Sequence, residues 1–255
     1  MTASPAGFPA DFVPGPDTLA GRRILVTGAS QGIGRAVALA CAASGAHLLL
    51  LGRDIRRLEQ VAGEAAAHGH FEPLIVPLNL EGASLDDYRH VADLIRTQLG
   101  QLDGLVLNAA MLGELSPIEH YDPVIWARVF QVNVHSPFLL VQACLPLLKI
   151  GGDSSIIFTS SGVGRRGRAY WGAYAASKFA LEGLMETLAD ELAPAAGVRV
   201  NSLNPGRTRT RMRAMAYPAE DPGTLPPPEA ITPLYVYLLA AASAGVHGQR
   251  LDAQR

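Results

Sequence analysis

Two side chains four positions apart, Tyr174 and Lys178 in Tyr174-Ala-Ala-Ser-Lys178, carry the clearest chemical potential in this chain. On a helix, residues at that spacing lie one turn apart on the same side, so both reach one site. An ammonium beside a phenol favours the phenolate and is expected to lower the phenol pKa from about 10. Such a tyrosine could exchange a proton with an alcohol or carbonyl oxygen near neutral pH. The spacing alone is common, but composition sharpens it. Only two of the 21 basic residues are lysines, Lys149 and Lys178. Arginine's planar, spread charge does not replace a compact ammonium, so Lys178 stands out in a chain that otherwise uses arginine.

A second candidate is the run Thr27-Gly28-Ala29-Ser30-Gln31-Gly32-Ile33-Gly34, which follows the apolar segment 23–27 and opens a helix. A glycine-rich turn from strand into helix lets backbone approach a pyrophosphate, whose charge is favoured by free N–H groups at the helix start. Gly28 suits the tight turn, Gly32 the close approach and Gly34 helix-on-strand packing. The plain alternative is a glycine-rich turn in any α/β protein. The spacing is Gly-x-x-x-Gly-x-Gly, not the commoner Gly-x-Gly-x-x-Gly.

These groups need a scaffold, and the chain predicts one. Apolar runs at 23–27, 47–51, 72–77, 102–107, 155–159, 198–203 and 249–252 alternate with helical patterns at 33–43, 54–68, 85–99, 172–192 and 229–242. Two more helical stretches fill about 123–149, broken near Pro137, and Pro194 is expected to stop the long helix beginning at Gly172. Asp54 reads as the N-cap of the second helix. Near-continuous apolar strands alternating with helices predict a single α/β domain: a Rossmann-type, doubly wound parallel sheet of about seven strands with helices on both faces. The domain is expected to span 21–255, after an irregular, proline-containing lead-in over 1–20.

Bulk composition excludes several classes. With 49% hydrophobic and 17% charged residues, global disorder does not fit. A net charge of −2 offers no general attraction to nucleic acid or to a membrane surface. No apolar run reaches the ~20 residues of a span, and the first 17 residues do not have a signal-peptide pattern. Cys41 and Cys144 have neither disulfide-framework nor metal spacing. The pair His68-Gly-His70 is expected to be an exposed turn, and no metal is expected. A cytoplasmic location is the expectation.

Together these segments resemble the short-chain dehydrogenase/reductase family from about Gly21 to Asp252, beginning with Thr-Gly-x-x-x-Gly-x-Gly. Ser161, thirteen residues before Tyr174, matches the family's serine at the end of the fifth strand, with Ser160 as its competitor. Leu107-Asn108-Ala109-Ala110 resembles Asn-Asn-Ala-Gly with two departures, and Gln131-Val-Asn133-Val resembles the segment whose asparagine supports a proton relay. Asn204-Pro205-Gly206-Arg207-Thr208-Arg209-Thr210 resembles the Pro-Gly turn beside the nicotinamide. Within the family, Gly172–Ala180, the Gly-Arg-Thr-Arg-Thr run and the Leu-Asp-Ala-Gln ending are similar to the bacterial YciK-type branch.

The resemblance implies an NAD(P)-dependent oxidoreductase that transfers a hydride between a nicotinamide cofactor and a carbonyl or alcohol. Asn133, Ser161, Tyr174 and Lys178 would be catalytic. Gly28, Ser30, Gln31, Gly32, Ile33, Gly34, Arg53, Asn79, Leu80, Asn108, Pro205, Gly206, Thr208 and Thr210, with Tyr174 and Lys178, would bind the cofactor. Gly52 stands where NAD-preferring members carry an acid, and Arg53 suits a 2′-phosphate. NADP(H) is therefore favoured, with NAD(H) possible and a merely solvated Arg53 the alternative. Asn79 replaces a usual aspartate near the adenine, and an amide still forms hydrogen bonds.

Seven arginines bunch at Arg165, Arg166 and Arg168 and at Arg207, Arg209, Arg211 and Arg213. They would either favour an anionic substrate or hold cofactor phosphates and solvate loops. Five prolines within 217–228 suggest a stiff cover over the cleft. Apolar helices at 134–148 and 172–192 imply, by resemblance, a homodimer or homotetramer; sequence alone equally allows burial within one chain. The competing reading is a non-catalytic NADP(H) redox sensor, which would need only the glycine turn.

Overall fold

The computed structural model describes residues 9, 12–68, 71–192 and 197–254. His70, Pro194 and most of the first eleven residues lie outside the described residues, and with them the His68/His70 turn, the Pro194 stop and part of the lead-in. Seven parallel strands form one sheet in the order β3-β2-β1-β4-β5-β6-β7. They are β1 (Arg23–Thr27), β2 (His47–Gly52), β3 (Leu74–Pro77), β4 (Gly104–Leu107), β5 (Ser154–Thr159), β6 (Val198–Asn204) and β7 (Arg250–Asp252). The helices are α1 (Gly32–Ala43), α2 (Ile55–His68), α3 (Leu85–Leu99), α4 (Pro123–Phe130), α5 (Ser136–Leu148), α6 (Gly172–Glu191), α7 (Arg211–Ala216) and α8 (Thr232–Leu239).

The strands are uninterrupted apolar runs because each faces two cores. In β1, Ile24 and Val26 join one core with α1, α2 and α8, while Leu25 joins the other with α3, α5 and α6. Likewise, Leu48 and Leu50 of β2 face the first core and Leu49 and Leu51 the second. Side chains alternate along a strand, so covering both faces requires apolar residues at every position. Cys41 and Cys144 lie in different cores, which rules out their pairing, and burial pushes both thiols up to about 12.

Several boundaries differ from the expectations. The break between α4 and α5 is a π-helical turn over Gln131–His135, one turn before Pro137. Pro137 sits in the first turn of α5, where its missing N–H costs no helix bond. Strand β4 begins at Gly104, where pairing with Ile24 and Ser155 starts. The helix anticipated over 229–242 is α8 flanked by single 3-10 turns. Helix α7 was not anticipated; Thr210 Oγ1 caps it by accepting from Arg213 N at 3.1 Å.

Two further findings qualify the expectations. The tract Pro123–Leu148 is, by length and composition, apolar enough to cross a membrane, and in this fold α5 packs Leu140, Val141, Cys144 and Leu147 into the second core. The segment before Gly21 joins the body: Leu19 is fully buried and its N–H donates to Ser44 O at 2.7 Å.

Leu25 lies fully buried on central β1. Leu25→Ala is expected to lower unfolding free energy by about 2–5 kcal/mol, read by urea denaturation. A loss under about 1 kcal/mol would contradict this packing.

Candidate active site

Strand order reverses at β1, whose neighbours are β2 on one side and β4 on the other. Connections leaving these strands diverge to opposite faces, which opens a crevice at their carboxyl ends. A cleft of about 560 Å³ lies there, reached by the glycine turn and by the segments after β2, β3, β4, β5 and β6.

The turn is held by β4. Thr27 Oγ1 accepts from Asn108 N at 2.9 Å and Ala109 N at 3.0 Å and donates to Val106 O, while Asn108 Nδ2 donates to Thr27 O at 3.0 Å. Asn108 thus lines the cleft while its amide nitrogen braces the turn. Gly28 has φ +66°, and a Cβ there would sit 2.9 Å from Ala109 Cα. At Gly34 a Cβ would stand 2.3 Å from Gly28 O, closer than atoms pack. Gly34 is outside the cleft lining and does the packing expected of it. Gly28, Ser30, Gln31, Gly32 and Ile33 line the cleft. Opposite them, the Thr210 methyl lies 3.5 Å from where a Gly32 Cβ would be.

At the far end, Arg53 is largely exposed and its Nη1 contacts Glu81 Oε1 at 2.8 Å. Asp54 caps α2 through Arg57 N at 3.2 Å. Arg57 Nη1 donates to Gln31 Oε1 at 2.9 Å, bringing a second guanidinium to this end. Arg57 carries only a faint sequence signal, its place three residues after the cap, in the first turn of α2. Asn79 and Leu80 line the same region, with Asn79 Oδ1 accepting from Glu81 N at 3.3 Å.

Ser160 and Ser161 follow β5, and Tyr174 and Lys178 project from the first two turns of α6. All four line the cleft. Ser161 hydrogen-bonds Tyr174, whereas Ser160 Oγ is buried without a partner. Lys178 is almost wholly buried, and Nζ donates to Thr159 O at 2.7 Å. Nζ stands 5.6 Å from the Tyr174 ring centroid. The expected lowering of the tyrosine pKa does not hold in this arrangement. Burial pushes Tyr174 up to about 12 against the opposing Ser161 hydrogen bond. Burial also draws Lys178 down to about 8, with Glu182 pulling it back up. Desolvation disfavours both charged forms, and here it outweighs the local partners.

Asn133 lies in the π turn, outside the cleft lining. Its Oδ1 accepts from Met111 N at 2.7 Å, and Nδ2 donates to Met111 O at 2.9 Å and Ser177 Oγ at 3.0 Å. It clamps the chain after β4 to α6 beside Lys178. Pro205, Gly206, Thr208 and Thr210 border the cleft after β6. Gln254, whose Leu-Asp-Ala-Gln ending carried only a branch resemblance, donates from Nε2 to Pro205 O at 2.8 Å and Thr208 Oγ1 at 3.1 Å. Its signal was faint, a lone polar residue near the chain end.

Glycine substitutions separate the constrained turn from ordinary helix. Gly34→Ala must displace backbone and is expected to cost about 1–3 kcal/mol. Gly63, in α2 with nothing within 4 Å of its would-be Cβ, should gain about 0.5–1 kcal/mol as Ala. Urea denaturation of both variants checks this, and equal effects would refute it.

The short chain dehydrogenase family model matches residues 22–221. The uncharacterized oxidoreductase YciK of Escherichia coli K12 is 46% identical over 243 residues, covering 95% of this chain and 96% of that protein. A short chain dehydrogenase structure from Pseudomonas syringae superposes with a TM-score of 0.94 at 51% identity, covering 96% of this chain and 99% of the other. A short chain dehydrogenase structure from Escherichia coli CFT073, complexed with NADPH, has a TM-score of 0.92 at 47% identity, covering 95% and 100% of the two chains. With its sheet order and cleft, and with relatives matched along nearly its whole length, this chain belongs to the short chain dehydrogenase family of oxidoreductases.

Proposed function

We propose that this oxidoreductase transfers a hydride between NADP(H) and a small carbonyl or alcohol substrate, with Tyr174 as the proton donor and acceptor. The carrying observation is half-buried Ser161 beside buried Tyr174 and Lys178 in a cleft walled by the glycine turn. The residues suit a dinucleotide. Gly28 and Gly34 leave no room for a Cβ, the turn runs into the N-terminus of α1, and Arg53 and Arg57 supply cationic forks at the opposite end. The NADPH-bound relative supports the same reading.

When bound, the nicotinamide supplies or accepts the hydride at the substrate carbon. Tyr174 remains a neutral phenol through neutral pH, as a proton donor to a nascent alkoxide must. Lys178 places a compact positive charge beside the phenolate left behind. Ser161 orients the substrate oxygen through the hydroxyl that meets Tyr174. Asn133, bonded to Met111 and Ser177, acts as a positioning residue that supports the relay to Lys178. Ser30, Gln31 and Thr210 would hold the cofactor phosphates, Asn79 and Leu80 the adenine, and Pro205, Gly206 and Thr208 the nicotinamide. Arg53 would exchange Glu81 for a 2′-phosphate.

Arg53→Ala is expected to weaken NADPH binding about tenfold and leave NADH within about twofold, read by quenching of Trp126 and Trp171 fluorescence. Equal affinity for both nucleotides, unchanged by the substitution, would remove the 2′-phosphate assignment. Tyr174→Phe is expected to lower turnover by about 100-fold or more. For reduction, kcat/KM follows ionisations of the free enzyme. It should be level while Lys178 is charged and fall as pH rises through about 8. Tyr174, at about 12, adds no loss in that range. A falling limb that persists in Lys178→Met would assign it to another group.

A further inference from the structure

We propose that the substrate end of the cleft accepts a neutral carbonyl compound bearing an aromatic or bulky apolar substituent, and that Glu220 sets this preference by occupying the guanidinium of Arg213. The inference deepens the oxidoreductase reading and rests on it for which carbonyl is turned over.

The observation is a small apolar cluster around the proposed proton donor, separate from both main cores. Leu112, Tyr174 and Ala216 form its buried centre, with Trp171, Met212 and Tyr217 packed against them. Trp171 meets Tyr174 edge-on, with centroids 5.8 Å apart, and Tyr217 at 5.7 Å. Met215, lining the cleft, leaves its side chain largely exposed. The Met212 thioether, packed in the same cluster as the Trp171 indole, makes an adaptable apolar wall. An aromatic or bulky alkyl group would recover its contact area, whereas a carboxylate there would lose water without gaining a partner.

The seven arginines bear on that preference, and the one lining the cleft beside this wall, Arg213, has its fork engaged. Arg165 is paired with Asp252 and Leu251 O. Arg168 donates to the Tyr217 hydroxyl and lies 5.4 Å from that ring's centroid. Arg213, the one that lines the cleft near this wall, stacks 3.7 Å from the same centroid. Its fork is taken by Glu220, with Nε at 2.5 Å and Nη2 at 2.8 Å. Arg207 Nη2 approaches the same carboxylate at 2.6 Å. Bonding to Arg213 and Arg207 draws the Glu220 carboxyl down to about 2, so it stays charged across the working range. Arg166 and Arg209 are exposed and do not line the cleft. Arg211 lines it with no partner side chain among the described residues, but follows Thr210, whose methyl faces the glycine turn. That position belongs to the phosphate side.

The test compares two ketones of one shape, 4-methylacetophenone and 4-acetylbenzoate, by saturation-transfer NMR titration. Each is titrated into the full chain, with and without saturating NADP+, at low ionic strength. The neutral ketone is expected to bind about tenfold more tightly or better. Glu220→Gln should tighten the carboxylated ketone about fivefold and leave the neutral one within about twofold. Arg213→Gln combined with Glu220→Gln should return the ratio to that of the parent. Equal binding, tighter carboxylate binding or binding of neither ketone to the parent protein overturns the substrate class. An unchanged ratio in a Glu220→Gln protein of native melting profile overturns the role of Glu220. If that variant fails to fold, Arg213→Gln decides instead: freeing the Glu220 carboxylate should weaken the carboxylated ketone about fivefold, and an unchanged ratio overturns the role of Glu220. A protein that ranks the ketones yet binds neither NADPH nor NADH upholds this inference and overturns the oxidoreductase reading. A protein that binds NADPH without ranking them does the reverse.

Discussion

A sheet of parallel strands buried on both faces imposes the constraint from which the site follows. Each strand must be rejoined by a helix crossing one face, and α1 and α2 take one face while α3, α5 and α6 take the other. Strand order therefore grows outward from β1 in both directions. Only at β1 and β4 do adjacent connections part, so only there can a ligand enter between strand ends. The glycine turn, Asn108, Ser161 and the first turns of α6 all lie at carboxyl ends of strands. No local sequence preference put them together; the crossover rule did.

Within that frame, burial and charge oppose each other along α6. Lys178 is held among buried groups with its ammonium on Thr159 O, and Gly164 gives it room, since a Cβ there would press on Lys178 Cβ at 3.0 Å. A guanidinium could not fit the same space or present the same compact charge. One turn further, buried Glu182 accepts from Ser202 Oγ at 2.7 Å and approaches Arg250 Nε at 3.5 Å. It restores part of the positive charge that desolvation removes from Lys178. The helix thus keeps an ammonium in a place where water cannot support one.

The arginine-rich segments show how composition can mislead without geometry. Bunched basic residues raise local potential only if their charge is free. Arg165, Arg207 and Arg213 instead meet the carboxylates of Asp252 and Glu220, and Arg168 meets Tyr217, bracing the segment after β6 and the chain end. The five prolines of 217–228 agree with that use, since limited backbone freedom keeps such struts in register.

Much of the fold was written in local patterns. Apolar runs placed all seven strands, the Thr27–Gly34 turn marked the cleft wall, and four-residue spacing put Tyr174 and Lys178 on one helix face. Those signals survive because they depend on backbone geometry within a few residues. The π turn at Gln131–His135, helix α7, the contact of Arg57 with Gln31 and the clamp from Gln254 were not legible. Each depends on partners many residues away. The sign of the Tyr174 pKa shift belongs to the same class. Sequence spacing showed a cation near a phenol, which favours ionisation, but it carried no measure of burial. Only the packed tertiary structure removed the water, and desolvation of a phenol in an apolar cluster then outweighed the opposing Ser161 hydroxyl, while the nearby ammonium was engaged by a backbone carbonyl.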